Sequence, residues 1–362
     1  MRKKTAFLCL VLLSSVALCE LPSDSEFYRH ASPEDLLQAV INHTLSVRSE
    51  AALEPAINEA VQQAVQMQGE AEPGTLLSKV RGLLDQEFWE VQETHSFPIW
   101  ESLWRSQGTT TDQQGHYFYA SQYSLLRADS IDDDASAFHF LPLPDFMTDL
   151  GDNHIGDLDY ANGKLFLAIE DGSNYQHPFL GVYDPDTLEI VQSAPLPVAQ
   201  QIDGVPWVAA DGQAHRLYSA QYHDTTKINI YDMDDLSPRG QIQIQGTLQS
   251  VQGGKVHNGF LYLTANAPEA GYAVYKLNLQ TGQLIQVAQM PAELVEVEGL
   301  SFDSTRHEAE LSVMGVIPFF SNGSFKFLRY MKRFGFHQTQ VSVRDQLRQR
   351  LAVPVSRSPA GE

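Results

Sequence analysis

Cysteine is nearly absent. Cys9 and Cys19 are the only two in 362 residues, and both fall among the first twenty. A chain whose body has no thiol offers no cysteine nucleophile, no thiolate metal site and no disulfide. Basic residues are scarce as well, 24 Lys and Arg against 45 Asp and Glu, for a formal charge of −21. That surplus repels phosphate backbones and anionic lipid, which argues against nucleic acid as a partner. With 24 glycines and 18 prolines the chain is neither collagen-like nor of low complexity. Past the N-terminus no apolar run approaches the ~20 residues of a membrane-spanning helix. The sequence also has no Gly-x-Ser-x-Gly elbow, phosphate-binding loop, dinucleotide fingerprint, paired-histidine zinc motif or EF-hand spacing. What is present is 43% hydrophobic and 10% aromatic residues, enough for a sizeable core.

Met1-Arg2-Lys3-Lys4 followed by the apolar run Ala6 to Leu18 has the form of a secretory signal, with Ala17 and Cys19 at the −3 and −1 positions. The expectation is a signal peptide over 1–19, cut before Glu20, and an extracellular, periplasmic or lumenal product. A lipobox ending at Cys19 is the rival, and bulky Leu18 speaks against it. Loss of Arg2, Lys3 and Lys4 takes the charge from −21 to −24.

Residues 20–109 are expected to form a helical segment. Ser32-Pro33-Glu34-Asp35 is a helix start, and Leu36, Leu37, Val40, Ile41 and Leu45 keep helical spacing after it. A second start lies at Glu54-Pro55. A third pattern runs from Thr75 through Leu83, Leu84 and Phe88 to Val91.

From residue 110 to 336 short β-rich runs alternate with turn residues, and the chain repeats itself. Gly156, Gly204, Gly253 and Gly299 sit in matching phrases 46 to 49 residues apart. A second landmark agrees: Val182-Tyr183-Asp184, Ile230-Tyr231-Asp232 and Tyr275-Lys276-Leu277 each precede a turn and another strand. Two landmarks on one period predict a mainly β protein, a β-propeller of about five blades, with the helical segment in front. Residues 337–362 read as a C-terminal helix and a disordered tail.

Residues that open the inner strands of a propeller surround its axis. The alignment places Asp203, Gln252 and Glu298 just before a shared glycine and Asp157 just after one. Asp157, Asp203 and Glu298 are the candidate metal ligands, with calcium the cation that such oxygen donors suit. Gln252 and His154 are candidate ligand-binding residues, and His154, Asp157, Asp159 and His177 a candidate polar cluster. Asp132-Asp133-Asp134 reads as a solvated loop. Asn42 and Asn322 head glycosylation sequons.

Glu298-Gly299-Leu300-Ser301-Phe302-Asp303 and Tyr183-Asp184-Pro185-Asp186-Thr187-Leu188 resemble phrases of extracellular β-propellers. These are the YncE-like and quinoprotein-like repeat proteins and the lactonase and arylesterase group. The resemblance covers residues 110–336 and implies blade architecture. The lactonase group holds a central calcium with a glutamate, asparagines and an aspartate; Glu298 and Asp203 match in type, and no axis asparagine is evident. Two functions follow as expectations. One is a secreted binding or scaffold protein that presents a propeller face to a protein or small molecule. The other is a calcium-dependent hydrolase that uses the axis acids.

Overall fold

The computed structural model describes residues 39–40, 88–267, 271–306, 310–318 and 329–339. Ala39 and Val40 are helical, inside the first expected helix. The signal segment, the rest of the helical patterns up to residue 87, both sequons (Asn42 and Asn322) and the chain beyond 339 lie outside the described residues.

The first described strand is β1 (Phe88–Ser96). After a short helical turn at Ile99–Ser102 come β2 (Gly108–Thr111), β3 (Tyr117–Ser121), β4 (Ser124–Ala128) and β5 (Ala135–Phe140), an antiparallel sheet in that order. A second four-stranded sheet follows, with β6 (His154–Ala161), β7 (Lys164–Glu170), β8 (Phe179–Tyr183) and β9 (Ile190–Pro195). A seven-stranded sheet holds β10 (Ala209–Asp211), β11 (Arg216–Ser219), β12 (Thr225–Asp232), β13 (Pro238–His257), β14 (Phe260–Ala267), β15 (Gly271–Asn278) and β16 (Leu284–Gln289). In it the 20-residue β13 serves twice, pairing with β12 through its first part and with β14 through its last. The fourth sheet holds β17 (Glu296–Phe302), β18 (Leu311–Pro318) and β19 (Arg329–Thr339), with β1 as its outermost strand beside β19.

The first strands of these sheets, together with β13 from the middle of the seven-stranded one, stand side by side. β17 lies against β2, β2 against β6, β6 against β10, β10 against β13, and β13 against β17 again. Antiparallel sheets arranged radially around a closed ring of first strands make a mainly β, propeller-type architecture. The core is accordingly shared out between neighbouring sheets. Phe118 and Leu125 pack with Ile155, Leu165 and Leu167; Phe166 and Val182 pack with Val208, Leu217 and Tyr231. On the closing side Met314, Val316 and Met331 pack with Tyr117, Tyr119 and Leu126. Each such seam buries apolar area that one sheet alone would leave in water.

The turns explain the second landmark. Asp184 Oδ1 accepts the backbone N–H of Asp186 and of Thr187, and Asp232 Oδ1 those of Asp234 and Asp235. Asn278 Oδ1 does the same for Gln280 and Thr281. Four residues after each, Leu188, Leu236 and Gly282 have φ of 59°, 62° and 73°. One loop geometry thus recurs once per repeat. The Asn162-Gly163 and Asn258-Gly259 dipeptides have φ > 0 at both positions, as two-residue hairpin turns require.

Residues 88–96 correct the sequence expectation. Phe88 and Val91 continue a helical spacing, yet 88–96 is a strand. Of its inward positions only Trp89 is a large apolar residue. Glu93 and His95, the next ones, meet the guanidinium of Arg333 and the carboxylate of Asp132. Asp132 is likewise no free loop acid, because Arg333 donates to both its oxygens at 3.0 and 2.7 Å.

Candidate functional site

Where the ring is narrowest its strands meet through glycine. A Cβ on Gly299 would stand 2.8 Å from Cα of Gly108, and one on Gly253 would stand 2.8 Å from Cα of Gly299. A Cβ on Gly156 would lie 2.7 Å from the carbonyl carbon of Pro206. Only glycine allows this approach. It lets the N–H of Gly299 reach the carbonyl of Gln107 at 2.7 Å, and the N–H of Asp157 that of Pro206 at 2.9 Å.

Asp157 sits in this belt, fully buried, and Lys255 of β13 reaches it with Nζ 2.9 Å from Oδ2. The N–H groups of Gly254, Thr109 and Leu158 complete its shell, and Nζ also donates to the carbonyls of Leu158 and Gly254 at 2.7 and 3.0 Å. Burial pushes the Asp157 carboxyl up to about 7, against the pull of the Lys255 ammonium. Asp159, two residues on, accepts from Thr110 Oγ1 and from the N–H of Tyr160 and of Ala210. The axis therefore carries its own cation.

The mouth at which the first strands begin is built from histidine–carboxylate pairs. His154 opens β6 and lies opposite Glu170, the last residue of β7; its Nδ1 is 2.9 Å from Oε1. The other Glu170 oxygen takes the N–H of Val205. Asp171 organises the next loop, accepting the N–H of Asn174 and Gln176 and meeting Nδ1 of His177 at 3.0 Å. Asp203 accepts the N–H of Tyr222 and of His223, and meets Nδ1 of His223 at 2.9 Å. In all three imidazoles Nδ1 faces the carboxylate, so Nε2 is the atom equipped to exchange a proton or meet a ligand. Gln252 donates to Glu296 at 2.8 Å, and Tyr222 feels the charges of Glu296 and Glu298.

No protein-family model and no curated protein sequence matches the chain. Among solved structures it is similar to the glutaminyl cyclase of Myxococcus xanthus, with a TM-score of 0.49 and 11% identity over 70% of this chain and 98% of that one. A gluconolactonase from Xanthomonas campestris gives 0.43 and 15%, covering 70% and 88%. The Pan2 WD40 domain of Neurospora crassa gives 0.34 and 9%, covering 63% and 62%. Such distant likeness carries no activity over, and the architecture described above rests on the sheet topology.

The opposite mouth, where the first strands end, opens into a cavity of about 710 Å³. Its wall takes Asp112 and Gln113 after β2, Tyr160 and Asn162 from β6 and its turn, Asp211 from β10, and His257 and Asn258 from β13 and its turn. The His257 ring stacks on Phe302 with centroids 4.0 Å apart, and Lys255 and Asp159 close the floor.

The expected site residues are thus divided. His154, Asp203, Gln252 and Glu298 belong to the beginning-of-strand mouth, and His177 joins them there through Asp171. Asp157 and Asp159 lie deeper, held by Lys255 and by backbone N–H groups. Among the described residues no three His, Asp or Glu side chains are grouped to hold a metal ion. Sequence reasoning passed over Gly108, Lys255, Glu170 and Asp171. For Gly108 a signal existed, since it stands 48 residues before Gly156, on the period of the other glycines.

Proposed function

We propose that this chain is a secreted five-bladed propeller that acts by binding a small, polar, hydroxyl-rich ligand in the 710 Å³ cavity, without catalysis of its own. In this reading β13 contributes to two blades, and β1 completes the last one from outside. The observation that carries the function is the cavity wall. It combines carboxylates and side-chain amides, which match hydroxyl groups, with the Tyr160 and Phe302–His257 rings, which match the faces of a sugar-like skeleton. The calcium-dependent hydrolase is less well supported, because the Lys255 ammonium stands beside Asp157 where an axial cation would bind.

The test is a melting-temperature screen of the purified protein against neutral saccharides and polyols. A ligand at one hundred times its Kd adds about 2.7 kcal/mol to the native state, a rise of a few degrees for a domain this large. Asn258→Asp tolerates the left-handed backbone there but removes an amide donor, and Tyr160→Phe removes a hydroxyl. Both should shrink the rise. A flat response across the panel, or turnover of ester or lactone substrates by the wild-type protein, would count against the reading.

A further inference from the structure

Large apolar side chains left exposed gather where the helical turn at Ile99–Ser102 and the edge strand β5 face each other. Trp100 is 68% exposed and Phe138 46%, and Leu103 and Phe140 are exposed beside them. Trp104 ties the two segments together, its ring edge-on to those of Phe138 and Phe140 with centroids 5.2 and 6.1 Å apart. A cavity of about 280 Å³ opens here, walled by Trp100, Trp104, Phe138 and Leu126 of β4. Single exposed apolar residues need no explanation, but aromatics gathered around a hollow mark a binding surface.

Three charged residues share the lining and define the guest: Glu101, Arg105 and Asp134. Arg105 is fully buried. Its Nη2 donates to the carbonyl of Asp133, while Nε and Nη1 have no hydrogen-bond partner. The guanidinium lies instead over the rings of Tyr119 and Phe97, 4.3 and 4.9 Å from their centroids. Aromatic faces compensate this cation, and a further ring in the cavity would meet it in the same way, without having to touch its sealed N–H groups. Glu101 is only partly buried, and its Oε2 stands 3.7 Å from Arg105 Nε, an ion pair too long for a hydrogen bond. Its carboxylate therefore keeps acceptor capacity on the cavity side. The same three charges select against a charged guest. An anion would face Glu101 and Asp134, and a cation would face Arg105 where no water screens it.

We propose that this cavity is a second binding site, separate from the 710 Å³ one, for a small neutral aromatic molecule with one hydrogen-bond donor, a phenol or an indole. The ring lies among Trp100, Trp104 and Phe138 and near the guanidinium of Arg105, and its O–H or N–H donates to Glu101. A cavity of ~150 Å³ holds benzene, so this one admits two fused rings and little more, which favours a free small molecule over a side chain with its backbone.

Titration calorimetry with p-cresol and indole tests this. The comparison compounds are toluene, which lacks the hydroxyl, 4-methylanisole, in which it is methylated, and 4-methylbenzoate, an anion of similar shape. The expected result is saturable binding of p-cresol and indole, binding of toluene and 4-methylanisole weaker by on the order of tenfold, and none of 4-methylbenzoate. Trp100→Ala and Phe138→Ala, which change exposed side chains and leave the core intact, should each weaken p-cresol several-fold, and Val191→Ala, at an exposed position on β9, should not. Glu101→Leu should lower p-cresol to the affinity of toluene. If that variant fails to fold, the 4-methylanisole comparison on wild-type protein decides the same point. Each of four results would overturn the proposal: no saturable binding, p-cresol bound by Trp100→Ala and Phe138→Ala as by wild type, toluene, 4-methylanisole or 4-methylbenzoate bound as tightly as p-cresol, or N-acetyltyrosinamide bound more tightly than p-cresol, which would make the guest a side chain of a protein partner.

Discussion

A methyl group at Gly299 has nowhere to go, with Cα of Gly108 2.8 Å from where it would be and the Asp157 carboxylate on its other side. Gly299→Ala is expected to cost about 1–3 kcal/mol, the usual penalty of overpacking, read as a lower urea midpoint at unchanged slope. Gly115, which has open space around the same position, is not a fair control because its φ of 108° strains any side chain. Asp152 makes a prediction of the opposite kind. Burial first, and then Asp171 and Glu170, push its carboxyl from 3.8 up to about 7. Between those values the folded state holds a proton that the unfolded state has lost, so this group's contribution to stability falls as pH rises from 4 to 7. Asp152→Asn removes the dependence. The variant should gain on wild type between pH 4 and pH 8 by on the order of 3 kcal/mol, measured by denaturant unfolding at both pH values. Of the residues in these arguments, the glycines were legible in the sequence because a backbone that must approach another backbone excludes every side chain. The pairs at the strand-beginning mouth were not. His154 and Glu170 are brought together by the register of β6 on β7, and Asp203 and His223 by two loops, neither of which a single sequence specifies.

Among the elements, β1 bears the largest difference between pattern and structure. Leu83, Leu84, Phe88 and Val91 obey helical spacing. The strand that 88–96 forms shows no alternation of apolar residues, because two of its inward positions are Glu93 and His95. A strand held by ionic contacts hides from a hydrophobic period. Its one large apolar anchor is Trp89, buried and edge-on to Phe302 with centroids 5.8 Å apart. Trp89→Ala should cost about 3–5 kcal/mol, as large aromatic truncations in a core do. Hydrogen exchange should then show the amides of β19 opening sooner than those of β7. Equal protection in both strands would mean that β1 contributes little to its sheet. The recurring turns were easier to read, since an Asp or Asn that caps two N–H groups leaves its mark at each repeat.

For the molecule as a whole, the mainly β, propeller-type architecture was legible from the 46 to 49 residue period, because each repeat must build the same seam with its neighbour. The period did not reveal how the axis is filled, because Lys255 appears in one repeat alone. That lysine sets the expectation for calcium. With Nζ 2.9 Å from Asp157 and both Asp203 oxygens engaged by Tyr222 and His223, millimolar calcium should leave the wild-type melting curve unmoved, and Glu298→Gln should change nothing in that response. A calcium-dependent rise that chelator reverses would bring the hydrolase reading back.

The clasp between β1 and β19 has a temporal side. Ser96 pairs with Lys332 and Phe88 with Thr339, so the earliest of the described strands waits for the latest of them. Local hairpins such as β6–β7 can form as soon as their residues exist, within microseconds. The ring can close only after nearly the whole described chain is available, and bringing such distant segments together is slow. Until then the last sheet has an unpaired edge at β19, the kind of edge that recruits other strands. The clasp thus makes the closing of the described sheets also the step at which aggregation competes.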